Sequence, residues 1–130
     1  MPSKDDLEAA YRGYIACLNG RDWTKLGEFV HGDVRHNGRP LGIGGYRSML
    51  EADYERIPDL HFSIQILVVD PPLVASRLDF DVTPKGKFLD LPVHGRRVRF
   101  CENVFYRFRD QRILEVWSVI DKAAIEAQLR

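Results

Sequence analysis

GRRVRFCENVFYRFRDQRILEVWSVIDKAAIEAQ, residues 95–128, is the stretch whose reading decides the fold. Val98 to Arg109 reads as one strand and Arg112 to Ile120 as the next, joined at Asp110-Gln111. A two-residue turn fixes the register, with Arg109 opposite Arg112. Side chains alternate along a strand. One face then carries Phe100, Glu102, Val104, Tyr106 and Phe108 opposite Asp121, Val119, Trp117, Glu115 and Ile113. The other carries Arg99, Cys101, Asn103, Phe105, Arg107 and Arg109, with Arg112, Leu114, Val116, Ser118 and Ile120. Glu102, Glu115 and Asp121 thus sit among aromatic and branched side chains. An unpaired buried carboxylate costs on the order of several kcal/mol, so this face is expected to wall a pocket rather than to be plain core. Gln tolerates positive φ poorly, which leaves a longer, bulged loop as the alternative; that loop would move Glu102 to the opposite face. Glu115, Trp117 and Asp121 share parity either way, provided the strand stays regular up to Asp121.

Working outward, 130 residues fit one domain, taken as 1–130, with room for a real core. Nineteen basic residues balance nineteen acidic ones, so no field of one sign exists to recruit nucleic acid or an anionic membrane. No apolar run is long enough to span a bilayer, and the first residues lack a signal-peptide apolar region. Cys17 and Cys101 form neither a disulfide framework nor a zinc spacing. A cytoplasmic, water-soluble domain is expected.

Ser3 is a candidate N-cap for a helix carrying Leu7, Ala10, Tyr11, Tyr14, Ile15 and Leu18 at helical spacing, stopped by Asn19-Gly20. Asp22 is read as the cap of a second, short helix containing Trp23, Leu26 and Phe29. A brief strand over Val34 to Asn37 precedes a Gly-Arg-Pro-Leu-Gly turn. A third helix is predicted from Ile43 to Ile57, with Tyr46, Met49, Leu50, Asp53 and Tyr54 near one stripe and Pro58 closing it. Strands follow at Leu60 to Val69 and Leu73 to Val82, then a loop-rich connection to His94 whose Phe88, Leu89 and Leu91 would fold over an opening. Lys122 to Leu129 closes the chain as a short helix. Helices first and antiparallel strands afterwards predict α+β, with helices covering one face of a curved sheet.

Several segments together resemble the SnoaL-like polyketide cyclases, within the cone-shaped α+β superfamily named after nuclear transport factor 2. They are Ala16-Cys17-Leu18-Asn19, Trp23-Thr24-Lys25-Leu26, His36-Asn37-Gly38, Leu91 through Val98, Ile113-Leu114-Glu115-Val116-Trp117, Asp121 and Gln128-Leu129. The resemblance covers nearly the whole chain. It implies a cone-shaped, curved antiparallel sheet with the N-terminal helices packed over its concave face, often paired in a homodimer. It also implies a cofactor-free intramolecular aldol closure, with the aspartate just after the last strand, here Asp121, as general acid/base. It implies an assisting histidine too; neither hairpin strand contains one, and Glu102 or His36 is the expected catalytic partner of Asp121.

Removing a proton next to a carbonyl needs a base poised near working pH and a donor for the developing enolate oxygen. Asp121 suits the base role, and equally suits the N-cap of the last helix. Glu102 reads either as a tuned carboxylate or as the partner of an arginine such as Arg39 or Arg99. His36 and Asn37 end a strand before a turn, where loops deliver side chains to a pocket mouth; Asn37 otherwise makes the turn and His36 caps backbone. Trp117, Tyr106, Phe100, Tyr14 and Tyr54 are candidate walls for an apolar ligand, or core. The histidines and cysteines have no metal-ligand spacing. Two readings stand: a proton-transfer enzyme on an apolar carbonyl compound, cyclase-like or a related isomerase or dehydratase, or a non-catalytic ligand-binding or dimerisation module.

Overall fold

A computed structural model describes residues 2–130. Helix α1 (Lys4–Asn19) begins at a reciprocal cap: Ser3 Oγ accepts from the Asp6 N–H, and the Asp6 carboxylate accepts from the Ser3 N–H. Trp23–Glu28 forms a 3₁₀ turn rather than an α-helix, and the Asp22 side chain does not cap it. Strand β1 (Val30–His36) is longer than the sequence suggests. Asn37-Gly38, both at positive φ, turn it back onto β2 (Arg39–Pro40), a hairpin the reading missed. Helix α2 (Gly42–Arg56) follows. Then come β3 (Ser63–Asp70), β4 (Leu73–Val82), the small hairpin β5 (Lys87–Phe88) and β6 (Leu91–Pro92), β7 (Val98–Arg109), β8 (Arg112–Ile120) and α3 (Lys122–Gln128).

The main sheet runs β2-β1-β8-β7-β4-β3, antiparallel throughout except that β1 lies parallel to β8. Its strands alternate buried and exposed side chains. Val74, Ser76, Leu78, Phe80 and Val82 of β4, with Val98, Phe100, Val104, Tyr106 and Phe108 of β7, are buried. Leu7, Tyr11 and Leu18 of α1 pack into the same core and are fully covered. Burying each large apolar side chain is worth about 1.5–3 kcal/mol, which is what folds the helices onto this face.

The long hairpin keeps its two-residue turn, with Asp110 at φ 53° and Gln111 at φ 59°. The irregularity falls in the second strand instead. Arg109 faces Arg112 and Phe108 faces Ile113, but Arg107 faces Glu115, so Leu114 is an extra, unpaired residue. The bulge reverses every side chain of β8 beyond it. Val116, Ser118 and Ile120 now oppose Tyr106, Val104 and Glu102. Glu115, Trp117 and Val119 share the outer face with Phe105. The gain is physical: Ile113 and Val116, three apart, are both buried, and the Glu115 carboxylate stays out of the core. The expectation that Glu115 and Trp117 face inward with Glu102 is thereby corrected, while Glu102 keeps its inward face.

Candidate active site

Between α1, α2 and the concave face of β7 and β8 lies a cavity of about 410 Å³. Tyr14 and Leu18 reach it from α1, Tyr46, Met49, Leu50 and Asp53 from α2, Glu102, Val104 and Tyr106 from β7, and Val116, Ser118 and Ile120 from β8. His36 and Asn37 enter from the end of β1, and Leu89, at the tip of the β5–β6 hairpin, lies against the opening. A larger, more open depression of about 1130 Å³ runs past Phe29, Pro71 and Phe108. Its Asp6 is held in the α1 cap, and Glu28, Arg109, Asp110 and Arg112 also border it; the smaller cavity is the one that sets His36, Asp53 and Glu102 against protein that desolvates them.

Glu102 is the charged group set deepest in this wall. Burial pushes its carboxyl above the usual carboxylate range; a short hydrogen bond from Ser118 Oγ opposes the rise, and the Asp53 charge adds to it. Among the described residues no arginine pairs with it: Arg99 lies 3.9 Å from Asp81, and Arg97 grips the same carboxylate at 2.7 and 2.8 Å. Ser118 is itself positioned. Its N–H donates to Asn37 Oδ1 at 2.8 Å, and Asn37 Nδ2 donates to its carbonyl at 3.3 Å. The Asn37 amide therefore holds the residue that holds Glu102. Sequence reasoning saw Asn37 as a ligand contact or turn former, and the backbone at φ 48° confirms the turn.

His36 lines the cavity with Nδ1 buried and without a hydrogen-bond partner among the described residues. Burial, then the Arg39 charge, push its imidazole below the usual value, so the ring is neutral at pH 7. At the floor, the Tyr14 and Tyr46 hydroxyls are 2.7 Å apart, and Tyr11 donates to Tyr106 at 3.3 Å. Burial raises all four phenols, Tyr11 to about 12, so they are neutral hydrogen-bonding groups.

The remaining predicted residues fall elsewhere. Asp121 caps α3, accepting from the Ala124 N–H at 3.2 Å, and it is exposed; its neighbours Ile120 and Lys122 line the cavity and it does not. The cap fixes its carboxylate at the helix end, which corrects the expectation that it faces the pocket. Phe100 stacks on Phe80 with ring centres 5.2 Å apart and packs against Phe88, beside the cavity rather than in its wall. Tyr54 donates its hydroxyl to the Leu18 carbonyl and lies under Arg21, again outside the wall. Trp117 is on the outer face because of the bulge. Sequence reasoning missed Ser118, Tyr46 and Asp53 as site residues. The signal for Asp53 was present: it continues the Tyr46, Met49, Leu50 stripe, a lone carboxylate on an apolar helix face. Among the described residues no three His, Cys, Asp or Glu side chains cluster as metal ligands would.

A curved, mostly antiparallel sheet closed by helices over a polar-floored cavity defines an α+β cone. The sequence model of the SnoaL-like polyketide cyclases matches residues 8–129, and the chain belongs to that family. A SnoaL-like polyketide cyclase of Agrobacterium tumefaciens is 54% identical and superposes with a TM-score of 0.94 over 95% of this chain and 98% of its own. TsrD of Streptomyces laurentii shares the fold at 22% identity, with a TM-score of 0.84 and coverage of 98% and 96%. IdmH of Streptomyces antibioticus does so at 24% identity, with a TM-score of 0.80 and coverage of 95% and 97%. No curated protein matches the chain.

Proposed function

We propose that this protein is a cytoplasmic proton-transfer enzyme that acts beside the carbonyl of an apolar compound, with intramolecular aldol closure as its reaction. Isomerisation or dehydration would use the same groups. The observation that carries this reading is Glu102: a carboxyl with no cationic partner among the described residues, desolvated inside a cavity of small-molecule size. Held neutral, it donates a hydrogen bond to the carbonyl oxygen as charge grows there during enolisation. Ser118 keeps it aimed, and neutral His36 is the second polar group within reach of a ligand.

The test is solvent-deuterium exchange at the α-carbons of a panel of activated ketones and esters. Wild type is expected to exchange at least one of them, and Glu102→Gln to slow that exchange by roughly a hundredfold with binding retained. Saturable binding without exchange in wild type would favour the non-catalytic reading.

A homodimer is a second reading, compatible with catalysis. It is supported by a contiguous apolar patch on the outer sheet face, where Val68, Phe105 and Val119 are 57%, 59% and 68% exposed. Single exposed apolar residues are ordinary, but a patch running from β8 through β7 to β3, with Ala75 of β4 paired between Phe105 and Val68, is not. A second copy laid sheet to sheet would cover it.

A further inference from the structure

Enolisation needs a base as well as a donor, and Asp121 is committed to the α3 cap outside the cavity wall. Asp53 is the other carboxylate that borders the cavity. From its position on α2, we infer that Asp53 is the general base of this site, taking the α-proton while Glu102 hydrogen-bonds the carbonyl oxygen. This rests on the proton-transfer reading of the cavity.

The geometry gives each carboxylate a different station. Tyr46, Met49, Leu50 and Asp53 stand at i, i+3, i+4 and i+7 on one helix face, and all four line the cavity. Asp53 is the residue of that stripe nearest the solvent, exposed at the rim, while Glu102 sits on the opposing sheet, deeper in. The Asp53 carboxylate makes no hydrogen bond or ion pair among the described residues. Arg56, one turn further along the helix, directs its guanidinium to the Lys87 carbonyl, anchoring the hairpin that carries Leu89. The Asp53 charge acts on Arg56, Tyr46 and Tyr54 of its own helix and on Glu102 of β7, and His36 from β1 and Lys122 from α3 border the same cavity.

Crowding by protein pushes Asp53 up to about 6, against a lowering by Arg56. A base of that strength is ionised at pH 7 yet stronger than a free aspartate, and burial raises the Glu102 carboxyl as well. In the step, the substrate C–H bond breaks and its proton passes to Asp53. The electron pair enters the enolate, whose oxygen accepts the Glu102 hydrogen bond. The enolate carbon then forms the new C–C bond, the second carbonyl oxygen takes a proton from Asp53, and both carboxyls end as they began.

The experiment uses β-tetralone in deuterated buffer, with wild type, Asp53→Asn, Asp53→Glu, Glu102→Gln and Asp121→Asn compared across pH. Exchange by wild type is expected to rise with pH through about 6. Asp53→Asn is expected to lower the rate by roughly a hundredfold at little cost in binding, and to abolish that rise. Asp53→Glu is expected to restore part of the rate. Wild-type exchange that survives Asp53→Asn but is lost in Asp121→Asn or Glu102→Gln would overturn the assignment and leave the proton-transfer reading standing. Binding of β-tetralone with no exchange by wild type would overturn both.

Discussion

The behaviour of the site turns on one residue pair, Glu102 and Ser118. A carboxyl raised on folding stays protonated in the folded state at pH values where the unfolded chain has released its proton. Its contribution to stability is fully present below the unfolded value, 4.5 for Glu102, and is lost as pH rises through the raised one. Asp53 acts with the same sign over the window from 3.8 to about 6. Glu102→Gln is therefore expected to melt higher than wild type at about pH 8, with the advantage shrinking towards pH 4, as read by thermal denaturation across that range. Ser118→Ala removes the hydrogen bond that opposes the rise, so the Glu102 midpoint is expected to move further up in a carboxyl-carbon NMR titration. Glu102 was legible in the sequence because a carboxylate among Phe100, Val104 and Tyr106 breaks a strand's alternation. Ser118 was not, because its facing depends on a bulge that no residue type announces.

At the scale of elements, the long hairpin shows how local and tertiary preferences divide the work. Asp110-Gln111 adopts the positive-φ turn despite a poor second residue, since the apolar pairs on either side fix the register. Gln111→Gly is accordingly expected to stabilise the protein by roughly 1 kcal/mol in chemical denaturation, through relief of that φ. The strand bounds were readable from alternation and turn residues, and β4, β7 and β8 match the reading in both ends. The face assignment of β8 failed because parity carries across a strand only while it is regular, and Leu114 interrupts it. The last helix gives a separable test of its cap. Asp121→Ala is expected to cost about 1 kcal/mol of stability, while Asp121→Asn, which keeps a capping oxygen, costs a few tenths or so.

For the whole molecule, the helices-then-strands order and the family segments were enough to expect the cone and its covered concave face. What they did not carry was the parallel β1–β8 pairing, which brings His36 and Asn37 beside Ser118. Residues some 80 apart in sequence meet there, and no local pattern encodes that approach. The outer face makes its own prediction. Sedimentation equilibrium is expected to find a dimer, and Phe105→Lys, placing a charge in the middle of the apolar patch, to shift it to monomer with the cavity chemistry intact. A wild-type monomer at high protein concentration would remove the dimer reading.

The protonation state of Glu102 tests the central claim most directly. Carboxyl-carbon NMR on protein labelled at glutamate, with Glu102→Gln to assign the resonance, reads its midpoint in the free enzyme. The midpoint is expected above 4.5, with the group still neutral where the surface glutamates have begun to ionise. A midpoint at or below 4.5 would mean a carboxylate that is solvated or paired, and the cavity would have no acid to offer a carbonyl.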